Sequence, residues 1–226
     1  MAFLYIIATP IGNLEDVSKR ALRILSEVDL ILCEDTRKTK ILLDSCGIKK
    51  QTISYHQHSK LNKTDYIIDL LKVGRNLALV SDAGTPGISD PGNLLIDEVA
   101  KNLGDKVKIV PIPGASAVIA AASVSGFPTD RFLFLGFPPV KNKRKKFFEE
   151  AVSSKYPVIL YESPYRIIKT LEELKNMNKG LRVVVCRELT KKFETVYRGN
   201  VEKVIKDVQN DKIKGEFVII IHRNEK

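Results

Sequence analysis

Five short apolar runs punctuate the first half of the chain: Leu4 to Ala8, Leu30 to Cys33, Thr52 to Tyr55, Leu77 to Val80 and Lys108 to Pro111. Their length and their bounding turn residues read as strands. The stretches between them carry apolar residues at helical spacing. In the first, Val17, Ala21, Ile24, Leu25 and Val28 recur on one face, and Asn13 with Asp16 three residues later offers an N-cap. This βαβα order predicts a largely parallel sheet covered on both faces. The last helix of that half, Ser116 to Ser125, is built of small residues that allow close packing, and Gly126 ends it.

The second half reads as strand Arg131 to Phe137, a basic helix, strand Pro157 to Tyr161, helix Tyr165 to Asn176 and strand Arg182 to Cys186. A hairpin-like Phe193 to Arg198, a helix from about Val201 and a last strand, Glu216 to His222, complete it. The mixture predicts a mixed sheet with antiparallel edges. Residues 126–130 form the boundary, giving an N-terminal α/β domain over 1–127 and a C-terminal mixed-sheet α/β domain over 128–226.

Composition narrows the class. With 226 residues, 44% hydrophobic and 28% charged, the chain is long enough for a real core and unlike disordered, collagenous or membrane sequences. Its net charge of +10 is unevenly spread: residues 1–127 hold 15 basic and 14 acidic residues, and residues 128–226 hold 22 and 13. That asymmetry favours a polyanionic partner on the second half, with a merely solvated lysine-rich surface as the alternative. Cys33, Cys46 and Cys186, with His56, His58 and His222, show no metal-ligand spacing, so no metal is expected. The odd cysteine count, the absence of a basic signal-peptide start and the lack of a long apolar run predict a cytoplasmic protein without a membrane.

The segment richest in chemistry is SDAGTPGISDPG, Ser81 to Gly92, at the end of the fourth strand. Three glycines and two prolines in twelve residues make a shaped backbone where open α/β sheets bind ligands. It has no Lys-Ser/Thr pair after a glycine, and the chain contains no G-x-G, so neither a Walker loop nor a dinucleotide fingerprint is present. The ligand is expected to be a small uncharged or zwitterionic cofactor rather than one held by phosphates. TPIGNL, Thr9 to Leu14, and PIPGASA, Pro111 to Ala117, end the first and fifth strands and open on the same edge.

CEDTRKT places Glu34, Asp35 and Arg37 at the end of the second strand. Asp35 or Thr36 either caps the next helix, or the carboxylate and guanidinium orient a ribose hydroxyl or a phosphate. His58 in YHQHS is a candidate base or a hydrogen-bonded surface histidine. In the second half Glu162 with Arg166, and Arg187 with Glu188, brace the fold or act at the cleft. KNKRKK, with Lys141, Lys143, Arg144, Lys145 and Lys146, is a solvated face or a phosphate contact.

TPIGNL, CEDTR, SDAGTPGISDPG, PGASA, YESPYR, RELTKKFE and KGEFVI, in that order from about Leu4 to Ile221, resemble the tetrapyrrole methylase superfamily, and more narrowly its ribosomal RNA small subunit methyltransferase I branch. The resemblance implies two α/β domains with S-adenosylmethionine in the cleft between them, a homodimer, and methylation of a ribose 2′-hydroxyl of a cytidine in the decoding region of small-subunit ribosomal RNA, free or in a 30S-type subunit. It places cofactor contacts on Asp82, Gly84, Thr85, Pro86, Gly87, Ser116, Ala117, Tyr161, Glu162, Leu189 and Gly215. Tyr165 stands where many relatives have His, and Ser59-Lys60 where Asn-Glu is frequent.

Methyl transfer from a sulfonium asks the protein mainly to align the reacting atoms and exclude water. The expected proton acceptors are Asp35, Glu34 and His58, and Arg37 and Arg187 are expected to hold phosphates beside the target ribose. A methylase of a small tetrapyrrole or a protein side chain would share the cofactor loops without needing the basic half. A non-catalytic RNA-binding module would leave the glycine-rich loop without a role.

Overall fold

The structure, a computed structural model, describes residues 1–56 and 61–223. The chain divides into two compact units, Met1–Ser116 and Ala117–Lys226.

The first unit carries strands β1 (Ala2–Ile7), β2 (Leu30–Cys33), β3 (Thr52–Ser54), β4 (Leu77–Val80) and β5 (Val107–Ile112), and helices α1 (Lys19–Glu27), α2 (Thr36–Ser45), α3 (Leu61–Lys72) and α4 (Asn93–Leu103). The strands lie in the order β3-β2-β4-β1-β5 and every neighbouring pair is parallel. Alternation along β4 explains the two covered faces. Leu77 and Leu79 enter one core with Ile67, Leu71, Leu95 and Val99, whereas Ala78 and Val80 enter another with Ala21, Ile24, Leu25 and Val28. Removing each such Leu or Ile from water stabilises the fold by about 1.5–3 kcal/mol.

One helix start differs from the sequence reading. Asn13 caps a single short 3₁₀ turn, Leu14–Asp16, by accepting from the Glu15 amide. Val17 is extended, and Ser18 caps α1 by accepting from the Ala21 amide at 3.1 Å.

The second unit contains α5 (Ala117–Ser125), β6 (Leu133–Gly136), α6 (Arg144–Ser153), β7 (Val158–Glu162), α7 (Ile167–Met177), β8 (Leu181–Arg187), β9 (Thr195–Asn200), α8 (Val201–Gln209) and β10 (Phe217–Arg223). Its sheet has the order β6-β7-β10-β8-β9. The sheet is mixed, but its antiparallel strand is central: β10 runs against both β7 and β8, β9 runs against β8, and the edge pair β6 and β7 is parallel. The small-residue helix α5 groups with this unit because its buried face packs on β10, so the division falls before α5 rather than after it. Phe148, Leu171, Leu174, Val204 and Val208 pack on Leu160, Val183, Val185 and Ile219 to form its core.

Cys33 and Cys186 are buried free thiols, and burial pushes Cys186 up to about 11. Both are inert filling at neutral pH. No helix among the described residues is long and apolar enough to cross a membrane.

Candidate functional site

Parallel register places four strand ends together. Ile7 pairs with Val80 and Ile112, and Cys33 pairs with Val80, so the loops after β1, β2, β4 and β5 leave one edge of the first sheet. Backbone and hydroxyl bonds lace them. Thr9 and Gly84 exchange amide-to-carbonyl bonds of 2.9 and 3.0 Å, a bridge that Gly84 reaches with φ +84°. The Thr9 hydroxyl donates to the Ser81 carbonyl at 3.2 Å, and the Thr85 hydroxyl donates to the Ala115 carbonyl at 3.3 Å. Further along, Asn93 Nδ2 donates to the Gly87 carbonyl at 3.1 Å. The glycine-rich loop is thereby held at Ser81, Gly84, Thr85 and Gly87, and Pro86 within it is buried.

The loop after β2 is fastened to the same structure. Asp82 Oδ1 accepts from the Asp35 amide at 3.0 Å, and Oδ2 pairs with Lys38 Nζ at 2.7 Å. The Asp82 carboxylate therefore ties β4 to α2. Asp35 caps α2: its Oδ1 accepts from the Arg37 amide at 2.8 Å and from Arg37 Nε at 3.0 Å, and Oδ2 meets Nη2 at 2.7 Å. Those bonds hold the Asp35 carboxyl well below the usual carboxylate range. Of the two openings in the sequence reading, capping is the one Asp35 takes. The Arg37 side chain is 88% exposed at the rim.

Glu34, Asp35, Arg37, Ser54, His56 and Asp82 line a hollow of about 380 Å³. Within it Glu34 is half-buried, and its carboxyl is raised first by burial and then by the negative charge of Asp82. Asp90, in the same glycine-rich loop, is pushed up to about 6 by burial and by the charge of Glu34, partly offset by a hydrogen bond with Ser81. Sequence reasoning passed over Asp90 and Lys38; the signal for each was its place inside SDPG and CEDTRKT. His58 lies outside the described residues.

In the second unit, Tyr161, Glu162, Leu189 and Gly215 share one end of the sheet, because Phe217 pairs with both Glu162 and Arg187. Tyr161 packs with Phe134 and Phe137 at centroid distances of 5.0 and 5.3 Å. The Glu162 side chain is fully buried and fully used: it pairs with Arg166 at 2.9 Å and accepts from Thr170 at 2.6 Å and from the Ser163 amide at 2.7 Å. Its carboxylate braces β7 against α7. After β8 the chain turns sharply, with Glu188 at φ 51° and Thr190 at φ 66° around the buried Leu189. The Thr190 hydroxyl is buried there without a hydrogen-bond partner among the described residues. Gly215 backs onto this turn so tightly that a Cβ would collide with the Glu188 side chain.

The basic run separates into two kinds of residue. Lys141, Lys143, Lys145 and Lys146 are exposed, but Arg144 is buried and donates to Glu173 at 2.7 Å, the Pro139 carbonyl at 2.9 Å and Thr170 at 2.7 Å. It stands with its guanidinium 4.8 Å from the Phe148 ring. Arg187 is likewise buried, donating to the Lys214 carbonyl at 2.9 Å and pairing with Asp211 at 3.0 Å. Both expectations of phosphate contact are corrected: these guanidiniums are consumed by the fold. No group of three or more His, Cys, Asp or Glu among the described residues is arranged to hold a metal ion.

The sequence profile of the Tetrapyrrole (Corrin/Porphyrin) Methylases matches residues 3–205. The chain belongs to the tetrapyrrole methylase family. This methylase is 45% identical over 222 residues to the Ribosomal RNA small subunit methyltransferase I of Halalkalibacterium halodurans, spanning 98% of the chain and 76% of that relative. It is 40% identical to the protein of the same name from Thermotoga maritima over the full length of both. Among solved structures, diphthine synthase matches with a TM-score of 0.76 at 15% identity, covering 98% of this chain and 90% of that one. A cobalt precorrin-4 methyltransferase matches with a TM-score of 0.69 at 19% identity over 97% and 94%. These distant likenesses carry the fold.

Methyltransferases of this family use S-adenosylmethionine. The residues present in the methylase fit such a ligand. It carries no phosphate, and the loop Ser81 to Gly92 offers peptide groups and hydroxyls but no cation. The unpaired, buried Thr190 hydroxyl beside Leu189 is a polar group that a ligand would satisfy. Ser116 and Ala117 fall on either side of the division between the units.

Proposed function

We propose that this methylase transfers the methyl group of S-adenosylmethionine to the ribose 2′-hydroxyl of a cytidine in the decoding region of small-subunit ribosomal RNA, working in the cytoplasm as a homodimer. The observation that carries the reading is the 40–45% identity, over nearly the whole chain, to proteins named Ribosomal RNA small subunit methyltransferase I. The exposed lysines of α6 and its approach support an RNA acceptor, since neither a small tetrapyrrole nor a protein side chain requires them.

When bound, the cofactor supplies an already activated methyl group, so no covalent nucleophile is needed. In the first unit the peptide groups of Gly84, Thr85 and Gly87 would hold it, and in the second unit Tyr161, Leu189, Gly215 and the unpaired Thr190 hydroxyl are the groups that would contact it. The laced strand ends keep that backbone fixed, which limits reorganisation on binding. Arg37, held on Asp35 and exposed at the rim, presents its guanidinium to an RNA phosphate. Glu34 is the proton acceptor. It lines the hollow beside Arg37, and burial and the negative charge of Asp82 raise its proton affinity above that of an ordinary carboxylate, whereas Asp35 is held ionised by its own arginine.

Labelled S-adenosylmethionine incubated with small ribosomal subunits that lack this modification tests the reading, with nucleoside analysis of the product. The expected label is in 2′-O-methylcytidine, and Glu34→Gln is expected to slow single-turnover transfer by about 10²-fold or more without changing cofactor affinity. Label in a base-methylated nucleoside would overturn the 2′-hydroxyl assignment. An unchanged rate for Glu34→Gln would remove it as the base.

A further inference from the structure

The second unit's sheet has a far end, opposite the one that carries Tyr161, Leu189 and Gly215. Phe217 of β10 pairs with Glu162 and Arg187 at the cofactor end, whereas Ile221 pairs with Val158 and His222 with Arg182 at the other. The strand from Phe217 to His222 separates the two ends by roughly 17 Å at about 3.4 Å per residue.

A hollow of about 460 Å³ opens at that far end, lined by Pro128, Asp130, Arg131, Lys155, Tyr156 and His222. Tyr156 gathers two cations. The Arg131 guanidinium lies 5.9 Å from its ring centroid and donates to the phenol oxygen at 3.3 Å, and Lys155 Nζ lies 4.9 Å from the same centroid. Beside the hollow, Arg182 stands 5.1 Å from the Phe127 ring, which also meets the His222 imidazole at 5.5 Å. His222 Nδ1 is buried and has no hydrogen-bond partner among the described residues.

Arg131, Lys155 and Arg182 are exposed, and none forms an ion pair with a carboxylate among the described residues. Asp130 is the single acidic side chain on the lining. The core does not need these cations, and gathering them costs electrostatic self-energy until an anion arrives. The rings restrict the cations to one geometry and so reduce the entropy lost on binding. Guanidinium planes held beside aromatic rings suit a ligand that carries both phosphates and flat bases. An acidic peptide would use the charges and leave the planes idle.

We propose that this hollow is a second RNA seat, in which Arg131, Lys155 and Arg182 hold the backbone phosphates of a single-stranded segment, with a base resting on a guanidinium plane, remote from the methylated nucleotide. The proposal rests on the ribosomal RNA reading and adds a contact outside the cofactor end. None of the sequence motifs pointed to it, because its residues come from four separate stretches of chain.

The test is the Arg131→Ala/Lys155→Ala double variant, with Arg182→Ala made separately; all three residues are exposed, and a thermal melt checks folding. Binding of a fluorescent single-stranded RNA oligonucleotide is followed by anisotropy over a KCl series, with S-adenosylmethionine binding in parallel. The double variant is expected to bind RNA at least tenfold more weakly at low salt, with the slope of log affinity against log salt reduced by about 1.4, or ~0.7 for each phosphate no longer neutralised. Cofactor affinity is expected to be unchanged, and Arg182→Ala to lose affinity in the same direction. Wild-type affinity and slope in the double variant would overturn the seat and leave the methylase reading standing. If the wild-type protein neither binds nor methylates RNA, the RNA reading falls, and the seat falls with it.

Discussion

At the scale of the residue, the site is a study in carboxylates given different work by their surroundings. Asp35 is held ionised by Arg37 and its own helix, Asp82 is shared between an amide and Lys38, and Glu162 is closed inside the second unit's core. Asp90 differs: burial and the Glu34 charge push it up to about 6, so the folded state binds its proton more tightly than the unfolded chain does. The stability linked to that group is present below the unfolded value of about 4 and is lost as pH rises through about 6. Asp90→Asn is therefore expected to melt about 2 °C higher than wild type at pH 8 and at an equal temperature at pH 4, the size being modest because the group is half-exposed. Thermal melts across that range check it; a lower melting temperature at pH 8 would mean that the ionised carboxylate is favoured by the fold.

At the scale of the element, α6 shows why a charge run cannot be read as one surface. Arg144, Phe148 and Ala151 fall at i, i+4 and i+7 and form its buried face, while Lys145 and Lys146 stand in solvent. Arg144→Ala removes one partner from a buried network that reaches Glu173, Thr170 and Glu162, and is expected to destabilise the protein by about 3–5 kcal/mol. Lys145→Ala/Lys146→Ala is expected to leave the melting temperature within about 1–2 °C and to flatten the salt dependence of RNA binding. Denaturant unfolding and RNA titration of both variants separate the two roles, and an equal effect of both on RNA affinity alone would contradict the division. The helical spacing that marks Arg144 as buried was legible in the sequence; a run of like charges hid it. The strands were legible because β2 and β4 are apolar on both faces. The start of α1 was not, because Asn13 and Ser18 are both good caps and only the extended Val17 between them separates the 3₁₀ turn from the helix. The central antiparallel place of β10 was equally hidden, since strand order depends on pairing that no local pattern records.

At the scale of the whole molecule, two units divide the labour. The first supplies a parallel sheet whose strand ends lace a glycine-rich loop beside a polar hollow, and the second supplies a mixed sheet, a strained turn at Leu189 and most of the basic surplus. The loops were legible as motifs because each sits at a strand end, where glycine and proline mark backbone that must adopt one shape. The roles of Asp82, Glu162 and Arg187 were not, since a motif names a residue without saying whether its side chain faces a ligand or the core. Belonging to the tetrapyrrole methylase family fixes the chemistry of the donor more tightly than that of the acceptor, because the same fold is shared by proteins named as differently as diphthine synthase and a cobalt precorrin-4 methyltransferase. The most direct measurement offers the protein three acceptors side by side with labelled S-adenosylmethionine: unmodified small ribosomal subunits, a reduced tetrapyrrole and a protein extract freed of RNA. The account predicts label in the ribosomal RNA alone, released by ribonuclease; label in the tetrapyrrole or the protein fraction, with none in RNA, would contradict it.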